Sequence, residues 1–427
     1  MTDIISPAAD QGRTPPAWQT RALAALPALR SRNFRLFWTG QIISTIGTSL
    51  QVVAEGYLVY ELTQSTFWLG MVGLLGLLPV LPISLLGGVL IDRVPRRKLI
   101  MATQVGLMLQ AAVFGALAVS GALQLWHIIV LYFVFGALLA IDHPARRAFL
   151  VELVDEDELA NAVALNATVF NLSSLIGYAL AGLIIASLGA GVTMLANALT
   201  YVAPLIALAL IRVADRRADA PTADGSKRSF VQVMSEGALI LWRQPAILGA
   251  ISLMAVVGGL AWPVFGMMPA YAEEVMQTGA IGLGVLMACG ALGSLLGTVA
   301  VSRLGIHRRG HTMLVTALVL PALMAGFAFA PGMWVACSLL IGIGAALLVL
   351  QSLAITVVQV NIPDRVRGRV MSIYSILHAG SDTMGNVAVG WLATFIGLPL
   401  ALSLAAVAAG AYALGLRTLL PDVDQLD

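Results

Sequence analysis

The sequence predicts an all-α membrane protein of twelve transmembrane helices, arranged as two pseudo-symmetric six-helix halves. Three observations carry this. Of 427 residues, 59% are hydrophobic and 11% charged, against about 25% charged in a soluble domain. The apolar residues gather into twelve runs near the roughly 20 residues that cross a bilayer. All 24 Lys and Arg residues fit connections on one side, and basic loops are retained in the cytoplasm. Both termini then lie inside.

Residues 1–33 form a polar cytoplasmic segment with Arg13, Arg21, Arg30 and Arg32. The segment lacks the apolar core and cleavage site of a signal peptide. Within it, 18–29 reads as a short helix on the inner surface. The first half, 34–212, holds runs at 34–60, 67–91, 99–119, 125–141, 161–187 and 192–211. Run 1 lies between Arg35 and Glu61. Run 2 ends at the turn Asp92-Arg93, and run 3 spans Lys98 to Ser120-Gly121. Run 4 stops before Asp142-His143-Pro144, read as a turn anchored by Asp142. Run 5 opens at Asn161, and run 6 follows Gly189.

Residues 213–243, with Asp215, Arg216, Arg217, Lys227 and Arg228, read as a solvated cytoplasmic linker. The second half, 244–418, holds runs at 247–270, 281–301, 312–328, 333–358, 370–395 and 400–416, before a tail at 419–427. Run 7 ends at Glu273 and Glu274, read as solvated, and run 8 ends at Arg303. Run 9 follows Arg308 and Arg309, run 10 follows Pro331-Gly332, run 11 follows Arg367 and Arg369, and run 12 follows Gly397. The halves repeat: run 5 carries Gly177 and Gly182, run 11 carries Gly385 and Gly390, the same spacing at the same place. Internal repeats in a membrane protein point to a transporter with its site between the repeats. Small residues that admit close helix packing give the same pattern for a purely structural reason.

The loop after run 2 reads Gly88-Val89-Leu90-Ile91-Asp92-Arg93-Val94-Pro95-Arg96-Arg97-Lys98. It resembles the signature loop of the major facilitator superfamily, with Pro95 where glycine is usual and Ile91 where alanine is usual. Further motifs are Asn33-Phe34-Arg35, Asp142-His143-Pro144-Ala145-Arg146-Arg147, Asn161 to Asn166, and Arg367-Gly368-Arg369. Together they resemble the transmembrane secretion effector branch, which contains the enterobactin exporter and several bacterial drug exporters. The resemblance implies the major facilitator fold and a conformational latch on the cytoplasmic side. Gly88 would admit a neighbouring helix, and Asp92 would accept hydrogen bonds at a helix end. Arg93, Arg96, Arg97, Arg146, Arg367 and Arg369 surround or partner it. The alternative is a turn of solvated charges that only sets topology.

Ionisable groups inside apolar runs are costly and are functional candidates by default. In run 11, Ser375, His378, Asp382 and Asn386 share one helical face. In run 1, Ser44, Thr48, Gln51 and Glu55 do the same. A carboxylate beside a histidine suits proton coupling or binding of a cationic group; a hydrogen-bonded structural stripe is the alternative. Glu55 reads as a coupling group or as an outer-mouth residue. Asn166, Asn171, Asn197 and Gln351 are candidate cavity hydrogen-bonders. Trp262, Phe265 and Tyr271, with Met267 and Met268, would form an adaptable apolar wall.

Several classes are excluded or disfavoured. There is no Gly-x4-Gly-Lys-[Ser/Thr] phosphate loop, no His-Glu-x-x-His and no Gly-x-Ser-x-Gly. An ATP-driven pump and an enzyme are therefore disfavoured, and no catalytic or metal-binding residue is expected. Cys289 and Cys337 lie inside apolar runs and read as buried thiols. The basic residues are dispersed over loops, so no nucleic-acid partner is expected. No Lys or Arg sits deep in a run, which favours neutral, zwitterionic or cationic cargo.

The resulting expectation is a secondary active exporter of an amphipathic small molecule, drug-like or siderophore-like. It would sit in the bacterial inner membrane among lipid, work as a monomer and need no cofactor beyond a proton gradient. Import or facilitated passage of a small metabolite is the alternative.

Overall fold

The computed structural model describes residues 27–80, 82–83, 94–212, 230–303, 308–420 and 423. Helices dominate, and no strand occurs among the described residues. This follows from the solvent: in hydrocarbon each backbone polar group needs an internal partner, which a helix supplies within one segment.

The first group comprises α1 (Arg32–Thr63), α2 (Thr66–Leu77), α3 (Arg96–Val119), α4 (Leu125–Val151), α5 (Leu159–Leu188) and α6 (Ala190–Leu210). Ser31 caps α1, its hydroxyl accepting from the Phe34 amide at 3.2 Å. A short helix, α7 (Phe230–Trp242), precedes the second group. There, α8 spans Pro245–Gly266 and continues through Met268–Ala270 and Tyr271–Val275. It is followed by α9 (Gly279–Arg303), α10 (Arg309–Ala328), α11 (Met333–Asn361), α12 (Asp364–Ile396) and α13 (Leu398–Leu419). Ten of these helices are long and apolar enough to cross a membrane. The exceptions are α2, whose described part is 12 residues, the linker helix α7, and the more polar α12.

Two expectations need correction. Asp142-His143-Pro144 is not a turn: α4 continues through Pro144 to Val151. Transmembrane helices tolerate proline where side chains and neighbouring helices satisfy the freed backbone groups. The 213–243 segment is not wholly a solvated linker, because α7 packs on α12, with Glu236 paired to Arg369 at 2.6 Å. The run-7 helix is not regular. It contains two five-residue π segments, Met254–Gly258 and Tyr271–Val275, a widening that recurs at functional sites.

Packing in the first group recurs in the second. There, α1 packs on α5 and α6, α3 on α4 and α6, and α2 on α4. Seven elements later, α8 packs on α12 and α13, α10 on α11 and α13, and α9 on α11. Between the groups, α5 packs on α9 and α2 on α12, and the end of α8 touches α1 and α2.

The paired glycines make these contacts possible. A Cβ on Gly177 would lie 2.7 Å from the Ile46 carbonyl oxygen of α1, and one on Gly385 would lie 2.9 Å from the Gly259 carbonyl carbon of α8. These first glycines seat a helix on its own group. Gly182 meets Gly284 of α9 at 2.9 Å, and Gly390 meets Thr66 of α2 at 3.2 Å by the same construction. These second glycines face the other group.

Candidate functional site

A cavity of about 170 Å³ lies where the groups meet. The first group contributes Val53, Gly56 and Tyr132; the second contributes Phe265, Thr383 and Asn386. No Lys or Arg is among its lining residues. Two carboxylates stand just behind its walls, one per group.

Glu55 is the first. Val52, Val53 and Gly56 line the cavity, while Glu55 turns away from it into the first group and is 1% exposed. The side chain is shielded rather than solvated. Gln51, one turn earlier, donates its amide to Glu55 at 2.6 Å and to Gln110 of α3 at 3.2 Å. Asn197 of α6 donates to the Gln51 carbonyl oxygen. Tyr132 of α4 stands beside Glu55. Neutral side chains of α1, α3 and α6 thus form one hydrogen-bonded network around the carboxylate, with Gln51 as its direct donor.

Asp382 is the second. His378, one turn before it on α12, places Nδ1 3.2 Å from its carboxylate. Gln351 of α11 lies 2.6 Å from His378 Nε2, so Gln351, His378 and Asp382 form a short chain across two helices. Several oxygens here have no hydrogen-bond partner among the described residues: Asp382 Oδ1, Asn386 Oδ1 and the Tyr374 hydroxyl. Asn386 lines the cavity and its amide donates to the Asp382 carbonyl at 2.9 Å. Gly266 of α8 leaves the space the Asn386 side chain occupies, since a Cβ there would lie 2.7 Å from Asn386 Cγ.

The remaining candidates are placed elsewhere. Asn166 is exposed on α5, and Trp262 is 43% exposed and does not line the cavity. Of the apolar wall, Phe265 lines the cavity, while Met267, Met268 and Tyr271 are core residues at 0% exposure.

Among the latch candidates, Gly88, Asp92 and Arg93 lie outside the described residues. Arg96 pairs with Glu152 at 2.5 Å, and Arg97 donates to the Ala209 carbonyl at 2.9 Å, both within the first group. Arg367 donates to the Ile362 carbonyl at 3.2 Å. Arg146 pairs with Asp142 at 2.5 Å and donates to Gln41. Asp142, 1% exposed, also accepts from Thr103 at 2.6 Å and Gln104 at 3.1 Å. It anchors three helices to one another rather than a turn.

The end of the molecule away from the basic residues is shut. Tyr60 of α1 donates its hydroxyl to Glu274 of α8, so Glu274 is bonded across the two groups although it is exposed. Thr66 donates to the Gly390 carbonyl at 2.9 Å beside it. At the basic end, α4 and α11 share no substantial packing among the described residues.

A bundle with this internal repeat, and a cavity between the repeats flanked by two carboxylates, is a membrane transporter of the major facilitator type. The chain belongs to the transmembrane secretion effector family, whose model matches residues 23–427. It is 28% identical over 392 residues to the multidrug efflux pump Tap of Mycolicibacterium fortuitum, covering 89% of this chain and 94% of that protein. It is 26% identical over 366 residues to the enterobactin exporter EntS of Salmonella typhi, covering 84% and 85%. Macrolide efflux protein A of Streptococcus pyogenes is 21% identical over 287 residues, covering 67% and 70%.

Among solved structures, the nucleoside transporter NupG superposes with a TM-score of 0.70 at 10% identity, covering 91% of this chain and 99% of that one. A bacterial homolog of the human lysosomal transporter Spinster, inward-facing and unoccupied, gives 0.70 at 14% identity, covering 92% and 98%. These two likenesses establish the fold alone. The chain is a multi-pass membrane transporter with a small-molecule substrate, not an enzyme.

Proposed function

We propose that this transporter exports an amphipathic small molecule from the bacterial cytoplasm by proton antiport. It would work as a monomer of twelve passes, with both termini inside and 34–212 and 244–418 as its moving halves. One observation carries the reading: a carboxylate on each side of the shared cavity, Glu55 buried behind one wall and Asp382, half-buried, beside the other. Ionisable groups at such depth mark ion and proton pathways.

With the basic residues on the cytoplasmic side, the open end would face inward, ready to load. Cargo then meets an apolar wall together with Asn386, with the unsatisfied oxygen of Asp382 just behind it. A molecule with N–H or O–H donors answers both, and one with a positive charge answers Asp382 best. Efflux activity in the named relatives supports the outward direction. The nucleoside transporter among the structural neighbours keeps import as the second reading.

The test is a growth screen of a drug-hypersensitive bacterial strain expressing the protein, against macrolides, amphipathic amines and catecholate siderophores. Export predicts raised tolerance to at least one class and lost tolerance in Asp382→Asn. Heightened sensitivity would instead indicate import.

A further inference from the structure

We propose that a proton arriving at Asp382 comes to rest on His378, leaving Asp382 ionised as its counter-ion, and that cationic cargo displaces this proton by taking the same carboxylate. This rests on the reading of Asp382 as a coupling group in proton antiport. Three observations converge here. His378 Nδ1 lies 3.2 Å from Asp382 Oδ2 and has no hydrogen-bond partner among the described residues. Gln351 of α11 occupies the other ring nitrogen at 2.6 Å. Asp382 Oδ1 is likewise without a partner among the described residues, and Thr383, the next residue, lines the cavity.

The contact on one ring nitrogen decides what the other can do. With Gln351 on Nε2, the ring is held with Nδ1 towards the carboxylate. A side-chain amide offers N–H donors on one side and a carbonyl acceptor on the other. Gln351 therefore serves a neutral ring with its N–H and, turned over, a protonated ring with its oxygen. In water an imidazole holds a proton more tightly than an aspartate carboxyl, by roughly two to three pH units. The two side chains remain 22% and 15% exposed, so neither charge of the resulting ion pair is fully desolvated. Tyr374, its ring centroid 5.9 Å from that of His378, is the other ionisable group beside the ring. Of the helices packed on α12, α2 and the Pro245–Gly266 part of α8 carry no titratable side chain among the described residues. The others bring Cys337 on α11, Glu236 on α7, which is held by Arg369, and Tyr412 and Arg417 on α13.

The order of events follows from charge. With the proton on His378, Asp382 is matched and attracts a cation weakly. With the proton gone, the ring is neutral and the carboxylate is free for a cation in the cavity. A cation beside Asp382 in turn disfavours the protonated ring, because like charges repel. Proton and cargo therefore exclude one another at one site, which is the sign that antiport requires.

The test supplies the cation without knowing the cargo. Full-length protein with 15N-labelled histidine is reconstituted in lipid nanodiscs, and the His378 ring signals are identified by their loss in His378→Gln. Their shifts report the protonation of the ring as pH is varied. The carboxyl stretch of Asp382, identified by its loss in Asp382→Asn, is followed in parallel by infrared spectroscopy. Thr383→Cys, with Cys289→Ser and Cys337→Ala, is labelled with a trimethylammonioethyl methanethiosulfonate or with its neutral dimethylbutyl isostere.

The ring is expected to titrate while Asp382 stays ionised. The cationic label is expected to lower the His378 midpoint by about one pH unit against the neutral one, a tenfold loss of proton affinity. Gln351→Leu, with its melting temperature checked, is expected to lower it by a similar amount, since the protonated ring loses an acceptor. Equal midpoints under the two labels overturn the competition, and an unmoved midpoint in Gln351→Leu overturns the part given to Gln351. Protonation of Asp382 with a neutral ring overturns His378 as the resting place and leaves proton antiport standing. A site where neither group titrates between about pH 5 and 9 overturns the coupling reading of Asp382 itself.

Discussion

Gly182 of α5 and Gly284 of α9 meet backbone to backbone: a Cβ added to Gly284 would lie 2.7 Å from the Cα of Gly182. This crossing holds the two groups together along one side, and Asn171 donates to Thr298 at 3.2 Å further down the same pair. The neighbour at each glycine is backbone, which cannot swing aside. Gly182→Leu is therefore expected to overpack the crossing at a cost of about 1–3 kcal/mol. Thermal unfolding of the purified protein in detergent checks this; a melting temperature equal to wild type would mean the crossing is not close-packed in the membrane.

Tyr60 and Glu274 close the end opposite the basic residues. Tyr60→Phe removes the donor and keeps the ring. The gate is then expected to open more often, and a cysteine at Val53, on the cavity wall, should react several-fold faster with a membrane-impermeant maleimide added outside cells. An unchanged rate would assign closure to the α2–α12 glycine contacts instead.

Glu55 and Gln51 should separate function from stability. Glu55→Gln keeps a side chain of the same shape with hydrogen-bonding capacity, so the fold should survive while coupling to protons is lost. Gln51→Leu strands Asn197, Glu55 and Gln110, three groups that are each at most 3% exposed. A buried polar group left unsatisfied costs about 1–3 kcal/mol, so Gln51→Leu should lower the melting temperature more than Glu55→Gln does. The reverse order would contradict the network drawn around Glu55.

Asp142 is almost fully buried and Arg146 is 18% exposed in its side chain. Removing one partner of a buried pair leaves the other uncompensated, a loss of about 3 kcal/mol. Asp142→Ala should therefore destabilise strongly, and the double variant Asp142→Ala/Arg146→Met should recover part of the loss. A double-mutant cycle on melting temperatures gives the coupling; additivity would mean that the ion pair contributes nothing of its own.

The parts legible in the sequence were those written along single helices. Apolar runs gave the helices because a span must be apolar over its whole length. His378 and Asp382 could be paired because four residues make one helical turn, and the spacing of Gly177 and Gly182 against Gly385 and Gly390 gave the repeat. The neighbours of Glu55 were hidden for a physical reason. Gln110, Tyr132 and Asn197 come from three further helices, each polar in an otherwise apolar stretch, and only packing brings them together. In the sequence, Pro144 between Asp142 and Arg146 suggests a turn, but proline is tolerated inside transmembrane helices. Glu274 looked solvated because its partner, Tyr60, lies 214 residues away in the chain.

In the proposed cycle, inward protons passing through Glu55 and Asp382 drive outward cargo movement. The most direct measurement uses inside-out membrane vesicles energised by respiration, with uptake of the compound identified by the growth screen. Accumulation against its gradient is predicted, collapsing when a protonophore is added. Glu55→Gln and Asp382→Asn are predicted to abolish accumulation while leaving membrane insertion unchanged. Accumulation that persists after the proton gradient is dissipated, or that survives both substitutions, would contradict the account.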